Sequence, residues 1–201
     1  MGQGNAIPRL LVVDDEPDLV DLYEVTLGDD YEVLTAYGGR EAVELVEADG
    51  RFDVALVDRR MPDVTGDEVL SRLHEQSPEC RVAMVTAVEP DFDVVDMPFD
   101  EYLVKPISRA RVQETVERLL RLQSYREQCR EDYALASKVA ALRAHKDPEE
   151  LEANAEYQAL LARLEAVRDE LDDTASAFEP TDFVAAFSEI GATDARVTES
   201  D

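Results

Sequence analysis

Lysine is scarce in this sequence, which contains only Lys105, Lys138 and Lys146 among its 201 residues. In total, 20 basic residues stand against 47 acidic ones, so the formal net charge is −27. The acids are spread along the chain, so a single local binding patch does not explain them. An acidic, strongly hydrated surface with arginine in place of lysine suits a cytoplasm near salt saturation, where a Debye length of about 3 Å or less screens self-repulsion. The composition therefore predicts a protein from a halophile.

Long apolar runs are also missing. No run approaches the roughly 18 apolar residues needed to cross a bilayer, and residues 1–5 lack the features of a signal peptide. The two cysteines, Cys80 and Cys129, lack metal-ligand spacing and are expected to be reduced thiols. We therefore expect a soluble cytoplasmic protein without a membrane segment, and its apolar content of 45% is enough for a real core.

Four short apolar stretches each end on a polar side chain. They are Leu10–Val13 before Asp14 and Asp15, Val54–Val57 before Asp58, Arg81–Val85 before Thr86, and Tyr102–Val104 before Lys105. Short β-branched runs without alternation are typical of strands buried on both faces of a parallel sheet, and open α/β sheets bind ligands at the carboxyl ends of such strands. A lone aspartate could simply cap a loop. An acid pair, an acid, a hydroxyl and an amine in this order instead indicate one chemical site.

Residues 9–120 resemble the receiver domain of two-component response regulators. The motifs that carry the resemblance are Val13-Asp14-Asp15-Glu16, Asp58 with Met61-Pro62 and Gly66, Thr86-Ala87, and Tyr102 three residues before Lys105-Pro106. The resemblance implies an α/β, flavodoxin-like fold, a doubly wound five-stranded parallel sheet in the order 2-1-3-4-5. It also implies a protein that accepts a phosphoryl group from a sensor histidine kinase. Such a protein is not an enzyme beyond its own phosphotransfer and dephosphorylation.

By this resemblance, Asp58 is the phosphoacceptor. Three carboxylates in one cleft repel each other, and Mg²⁺ relieves that repulsion because it prefers oxygen ligands. The implied ligands are Asp14, Asp15, Asp58 and the main-chain carbonyl of Arg60. The Arg60 side chain could shield an acyl phosphate from water or orient the attacking water, and the sequence leaves both readings open.

The same resemblance implies that Thr86 and Lys105 bind the phosphoryl oxygens. It also makes Thr86 and Tyr102 a switch. When Thr86 moves to the phosphoryl group, Tyr102 can swing into the vacated space. The alternative for Tyr102 is plain packing with its hydroxyl at the rim.

The connection between Thr86 and Tyr102 departs from the family pattern. It has 15 residues and contains Pro90 and Pro98, so we expect one helical turn at most, or an irregular loop. The other helices are predicted at residues 17–27, 39–48 and 66–76. In the family the fourth helix belongs to a frequent dimerisation face, and here the usual geometry of that face is in doubt.

The carboxyl-terminal part is predicted to be a helical hairpin. One helix begins after the N-cap Ser108 and runs to about residue 144, and a second begins at Asp147, with Pro148 at its first position and Glu150 as capping-box partner. The second helix carries a heptad seam of Tyr157, Leu160, Leu164, Val167 and Leu171. Residues 121–173 resemble the HalX domain that follows receivers in haloarchaea. Because one hairpin buries its two apolar stripes poorly, we expect it to act in output and to self-associate.

Residues 174–201 are predicted to form an acidic, mostly mobile tail. Within it, residues 182–190 predict a short amphipathic helix that ends at Gly191. This segment could dock on its own hairpin or bind a partner.

The sequence therefore predicts a two-component response regulator. Residues 8–120 would form the receiver domain and residues 121–173 the output domain. The protein would engage an unknown output protein or form a homodimer through its carboxyl-terminal helices. The alternative is a DNA-binding transcriptional regulator. Residues 121–201 are acidic overall and show no basic stripe, so charge does not support contact with DNA. A hydrolase with Asp58 as nucleophile is disfavoured because the sequence has no cap domain.

Overall fold

The structure is a computed structural model that describes residues 7–178. The chain divides into two units, Met1–Gln123 and Ser124–Asp201. The amphipathic segment predicted at residues 182–190, and the predicted tail beyond residue 178, lie outside the described residues.

The first unit is built on a five-stranded sheet. Its strands are β1 (Arg9–Val13), β2 (Glu32–Ala36), β3 (Val54–Val57), β4 (Arg81–Thr86) and β5 (Glu101–Val104). All neighbouring pairs are parallel, and the order is β2-β1-β3-β4-β5. The predicted fold class is therefore confirmed. Central strands such as β3 are buried along their whole length, which explains their unbroken apolar sequence.

Helices α1 (Pro17–Leu27), α2 (Gly39–Asp49) and α3 (Gly66–Gln76) connect the strands. Two of them begin on a recognisable local signal, and for α1 it is Pro17 at the first position. At α3, Thr65 Oγ1 accepts a hydrogen bond from Glu68 N, and Glu68 Oε2 accepts one from Thr65 N at 2.9 Å. This capping box fixes the point at which α3 begins, eight residues after Asp58.

The sheet core lies between the strands and these helices. Buried residues of α2 and α3, among them Val46, Val69, Leu70 and Leu73, pack with the inward side chains of β1, β3 and β4. Leu70 and Leu73 are almost completely shielded from solvent. Each buried side chain of this size contributes about 2 kcal/mol, so these contacts stabilise the packing of the helices on the sheet.

The connection between β4 and β5 contains a single 3₁₀ turn, Phe92–Val94, where the family pattern places a longer helix. Two prolines flank the turn, Pro90 before it and Pro98 after it. These are the residues that were expected to prevent the longer helix. Phe92 is 91% exposed, so the turn does not pack its largest side chain against the sheet.

Helix α4 (Arg109–His145) begins after Ser108, whose Oγ accepts a hydrogen bond from Arg111 N at 3.2 Å. Residues 109–123 of α4 belong to the first unit and residues 124–145 to the second. The second unit also contains α5 (Pro148–Ala153) and α6 (Ala155–Ser176).

The predicted start of the second hairpin helix needs a correction. A single helix beginning at Asp147 was expected, but the helix breaks at Asn154, whose Oδ1 accepts a hydrogen bond from Tyr157 N at 2.8 Å and so caps α6. Asp147 makes no side-chain cap. Its expected partner, Glu150, instead binds Lys146 Nζ at 2.7 Å. Asparagine is among the strongest N-cap residues, which explains why the chain restarts a helix there.

The seam predicted on the second helix packs inside its own unit. Tyr157, Leu164 and Val167 are buried, and Leu160 and Leu171 are partly buried, against Leu135 and Val139 of α4. The hairpin therefore covers this stripe better than the sequence suggested. None of the described helices is long and apolar enough to cross a membrane.

Candidate functional site

The four polar strand ends meet at one edge of the sheet. Hydrogen bonds of the ladder continue one residue past the strands: Asp58 N donates to Val13 O and Lys105 N donates to Thr86 O, both at 2.8 Å, and Asp14 N donates to Ala36 O at 3.2 Å. The backbone of each of these residues is therefore fixed by its neighbouring strand. This is why the order of the strands brings together side chains that are far apart in sequence.

Three carboxylates converge at this edge. One oxygen each from Asp14, Asp15 and Asp58 lies within 4.8 Å of the others. Asp14 and Asp58 are only 2% and 6% exposed, whereas Asp15 is open to solvent. Asp14 Oδ1 also accepts a hydrogen bond from Glu16 N at 3.0 Å, which orients its carboxylate. The cluster combines two buried acids with one exposed acid at the mouth of the cleft.

Lys105 supplies the positive charge of the cleft. Its Nζ lies 2.6 Å from Asp14 Oδ2, 3.4 Å from Glu16 Oε1 and 3.9 Å from Asp58 Oδ1. Burial alone would lower the pKa of Lys105, but the hydrogen bond to Asp14 and the surrounding carboxylates outweigh it, so the pKa is raised. The ammonium group therefore remains charged among the acids.

Asp58 lies at the centre of the cluster. Burial, as the largest cause, raises its pKa, while Lys105 and a hydrogen bond with Thr86 oppose the shift. Within the described residues, Asp58 Oδ1 is buried and makes no hydrogen bond. A carboxylate oxygen without a hydrogen-bond donor keeps its lone pairs for a metal ion or an electrophile that enters the cleft.

Thr86 and Tyr102 are connected through Val88. Val88 N donates to Thr86 Oγ1 at 3.4 Å, and the Tyr102 hydroxyl donates to Val88 O at 2.9 Å. The ring of Tyr102 packs against Phe99, with 5.5 Å between ring centroids. The Tyr102 hydroxyl thus has a hydrogen-bond partner in the connection between β4 and β5.

The two arginines after Asp58 differ sharply in their surroundings. Arg60, the expected metal ligand through its carbonyl, exposes its side chain. Arg59 is buried instead, and its guanidinium pairs with Asp67 and Asp93. Sequence reasoning missed Arg59 because its partner Asp93 is 34 residues away. One sequence feature could have drawn attention to Arg59, namely its place directly after Asp58, the acid that ends a buried strand.

Gly66 holds the loop after Asp58 close to α3. Its N–H donates to Arg59 O at 2.9 Å. A Cβ at this position would collide with the Asp58 carbonyl oxygen and would lie 2.8 Å from Arg59 Cα. Only glycine allows the backbone to approach this closely, so Gly66 helps to place the central acid.

Comparisons with known proteins match two domain families, one after the other along the chain. The response regulator receiver domain matches residues 10–117, and the HalX domain matches residues 121–187. Residues 10–117 make up more than half of the chain.

Individual proteins agree with these matches. A candidate transcriptional regulator of Haloferax volcanii is 52% identical over 162 residues, which are 80% of this chain and 27% of that protein. The alkaline phosphatase synthesis transcriptional regulatory protein PhoP of Bacillus subtilis is 34% identical over 56% of this chain and 48% of its own length. The chain thus spans between about a quarter and a half of these two relatives. A CheY-like receiver domain protein from Methanospirillum hungatei has a similar structure, with a TM-score of 0.55, 27% identity, and coverage of 59% of this chain and 98% of that one.

Proposed function

The chain belongs to the response regulator receiver family, and from that premise we propose that it is switched by phosphorylation of Asp58, with a sensor histidine kinase as donor. The observation that carries the proposal is the Asp58 Oδ1 atom, which is buried without a hydrogen bond beside a lysine and two further acids. Asp58 would attack the phosphorus of a phosphohistidine. The new P–O bond makes an acyl phosphate, the P–N bond breaks, and the imidazole leaves with the electron pair.

The donor set fits Mg²⁺. Three carboxylate oxygens within 4.8 Å of one another are hard ligands with an excess of negative charge, which this ion prefers. Asp14, Asp15 and Asp58, with the main-chain carbonyl of Arg60, would hold it. When bound, Mg²⁺ supplies charge neutralisation at the carboxylates and at the incoming phosphoryl oxygens.

Lys105 and Thr86 complete the site. Lys105 Nζ is already 3.9 Å from Asp58 Oδ1, so a small movement away from Asp14 would pair it with a phosphoryl oxygen on Asp58. The Thr86 hydroxyl would donate to a second phosphoryl oxygen. If Oγ1 moves toward that oxygen, it would leave Val88 N, from which it now accepts a hydrogen bond, and the Tyr102 hydroxyl bound to Val88 O would rearrange.

The HalX hairpin is the output of this switch in our proposal, and it acts by binding a second copy of itself. An open groove of about 640 Å³ runs between α4 and α6 of the second unit. Its apolar lining is Ala136, Val139, Ala140, Leu161 and Leu164, of which Val139 and Leu164 are buried, and its charged lining is Arg143, Glu165, Arg168 and Asp169. A second copy that covered the groove would remove apolar area from water, and each Å² of that area contributes about 25 cal/mol in favour of association. Ala136, Ala140 and Leu161, which are not buried in the hairpin, are the apolar positions of this groove that a second copy would cover.

DNA binding is the second candidate for the output. The Haloferax volcanii relative is named as a candidate transcriptional regulator, and its match extends beyond the receiver. That match covers only 27% of the relative, so the name does not assign DNA binding to the shared part. In residues 124–178, acidic side chains outnumber lysines and arginines, which argues against contact with phosphates.

The proposed phosphorylation is tested by intact mass. The protein is incubated with phosphoramidate and MgCl₂ in multimolar KCl, beside samples that contain chelator and beside the Asp58→Asn variant. We expect one phosphoryl adduct that needs Mg²⁺ and disappears in Asp58→Asn. Asp63→Asn, an exposed acid in the same loop, serves as matched control and should keep the adduct. An adduct that persists in Asp58→Asn, or that forms equally well in chelator, contradicts the assignment.

A further inference from the structure

A buried guanidinium joins the loop that carries Asp58 to the segment between β4 and β5. Arg59 is 7% exposed. Its Nη2 lies 2.6 Å from Asp93 Oδ2, in the 3₁₀ turn, and its Nε lies 3.2 Å from Asp67 Oδ1, in the first turn of α3. A charge at this depth needs such partners, so the guanidinium holds both acids in defined positions.

The 3₁₀ turn has few other attachments. Phe92 is 91% exposed and Val95 is 73% exposed, so neither anchors the turn by apolar packing. Contact with the sheet core resumes only at Met97 and Phe99, which are partly buried. Across residues 7–178, the side chains of residues 91–95 reach the rest of the first unit by hydrogen bonds only through Asp93 and Arg59. The position of the turn therefore depends on this ion pair.

Arg59 is also adjacent to the proposed switch. The hydrogen bonds described above connect Thr86 to Val88 and Val88 to the Tyr102 hydroxyl. Arg59 itself directly follows Asp58 in the chain, and the hydrogen bond from Gly66 N to Arg59 O, at 2.9 Å, joins the loop that carries both residues to α3. The segment between β4 and β5 is therefore attached to the proposed site at two points, at Val88 through Thr86 and at Asp93 through Arg59.

We propose that Arg59 is a positioning residue that carries the phosphorylation state of Asp58 to the turn Phe92–Val94. This inference rests on the function proposed above. When the Thr86 hydroxyl moves to a phosphoryl oxygen, Val88 loses its side-chain acceptor and Tyr102 is released. The loop that carries Asp58 and Arg59 adjusts to the phosphoryl group, and the turn that contains Asp93 moves with the guanidinium.

The alternative is that Arg59 is a static staple. In that case it would hold the turn equally in both states, and phosphorylation would leave the surroundings of Phe92 unchanged. A probe on the turn itself separates the two readings, because it reports movement of the turn and not the stability of the fold.

The chain offers a convenient place for such a probe, since it contains no tryptophan and Phe92 is almost fully exposed. The full chain carrying Phe92→Trp is titrated with beryllium fluoride in MgCl₂ and multimolar KCl, and its tryptophan emission is recorded. A parallel sample is treated with phosphoramidate and weighed intact. The same measurements are made with Arg59→Met, Arg59→Lys and Asp93→Asn added. Arg72→Met, which removes an exposed arginine of α3, is the matched control.

We expect the emission of the parent and of Arg72→Met to change with beryllium fluoride. Arg59→Met and Asp93→Asn should lose this change while keeping the phosphoryl adduct, and Arg59→Lys should restore part of it. An unaltered emission change in Arg59→Met overturns the inference, as does a parent that is phosphorylated without any change. If Arg59→Met does not fold, Asp93→Asn decides alone, because Asp93 is an exposed residue. Absence of the adduct from the parent overturns the proposed function, and this inference with it.

Discussion

Replacing Lys105 with methionine should make the stability of the receiver depend on Mg²⁺. The substitution keeps an unbranched side chain but removes the ammonium group that lies 2.6 Å from Asp14 and 3.9 Å from Asp58. Both acids are buried, so water cannot solvate them well enough to replace the lost ammonium group. The folded state would then hold uncompensated negative charge that the unfolded chain spreads into solvent.

The expected loss can be bounded from the burial of the pair. Removing one partner of a buried ion pair costs about 3–5 kcal/mol. The side chains of Lys105 and Asp14 are 11% and 2% exposed, so this range applies to them, near its lower end because the cleft opens at Lys105. The contact with the exposed Glu16 adds little, since surface pairs contribute about 0–1 kcal/mol. A loss of about 3 kcal/mol corresponds to a fall in melting temperature of roughly 10 °C for a domain of this size.

Mg²⁺ should restore most of the lost free energy of unfolding. An ion that binds only the folded state at about 100 times its Kd stabilises that state by about 2.7 kcal/mol. The variant should gain more from Mg²⁺ than the parent, in which the ion competes with Lys105 for Asp14. Thermal unfolding in multimolar KCl, with chelator or with MgCl₂, measures both effects, and the exposed Lys138→Met is the matched control. An equal loss of stability with and without Mg²⁺ would refute the reasoning, as would a Lys105→Met/Asp14→Asn double variant no more stable than Lys105→Met.

Three further predictions follow from other features of the chain. Because the net charge is −27, removing KCl should lower the melting temperature steeply, and a midpoint that is flat from low to multimolar salt contradicts this. Gly66→Ala should lower the free energy of unfolding by about 2 kcal/mol in denaturant titration, since its Cβ meets the Asp58 carbonyl; Gly38→Ala, where a Cβ meets nothing within 4 Å, should change it little. Light scattering should detect dimers of the full chain, and Ala140→Glu should dissociate them. Ala141→Glu should leave the dimers intact, because Ala141 is exposed and lies outside the groove lining. A parent protein that is monomeric at micromolar concentration would contradict the self-association proposal.

The strand ends could be predicted from sequence because their signal is local. A short apolar run that ends on Asp14, Asp58, Thr86 or Lys105 is readable within a few residues, and the parallel ladder then brings these ends to one edge of the sheet. The short β4–β5 connection was predictable for a similar reason, since two prolines and 15 residues leave no room for a long helix.

The features that escaped prediction depend on choices between competing partners. Arg59 could have pointed into solvent, and its burial depends on Asp93 from a distant turn. Asp147 matches the capping-box pattern, yet Glu150 pairs with Lys146 one helical turn earlier and Asn154 caps the next helix. Local pattern shows that a residue can make a contact. It does not show which of two available contacts has the lower free energy.

Two kinds of negative charge are present in this chain, and they should respond differently to salt. The surface acids repel each other through solvent, where ions at molar concentration screen the interaction within about 3 Å. Within the site, Asp14 pairs with Lys105 at 2.6 Å, and the side chain of Asp14 is only 2% exposed, so dissolved ions reach that pair poorly. Salt should therefore govern how much of the chain is folded, while the affinity of the folded site for phosphoryl groups changes little. The proposed phosphorylation site should therefore keep its affinity across salt concentrations at which the fold itself survives.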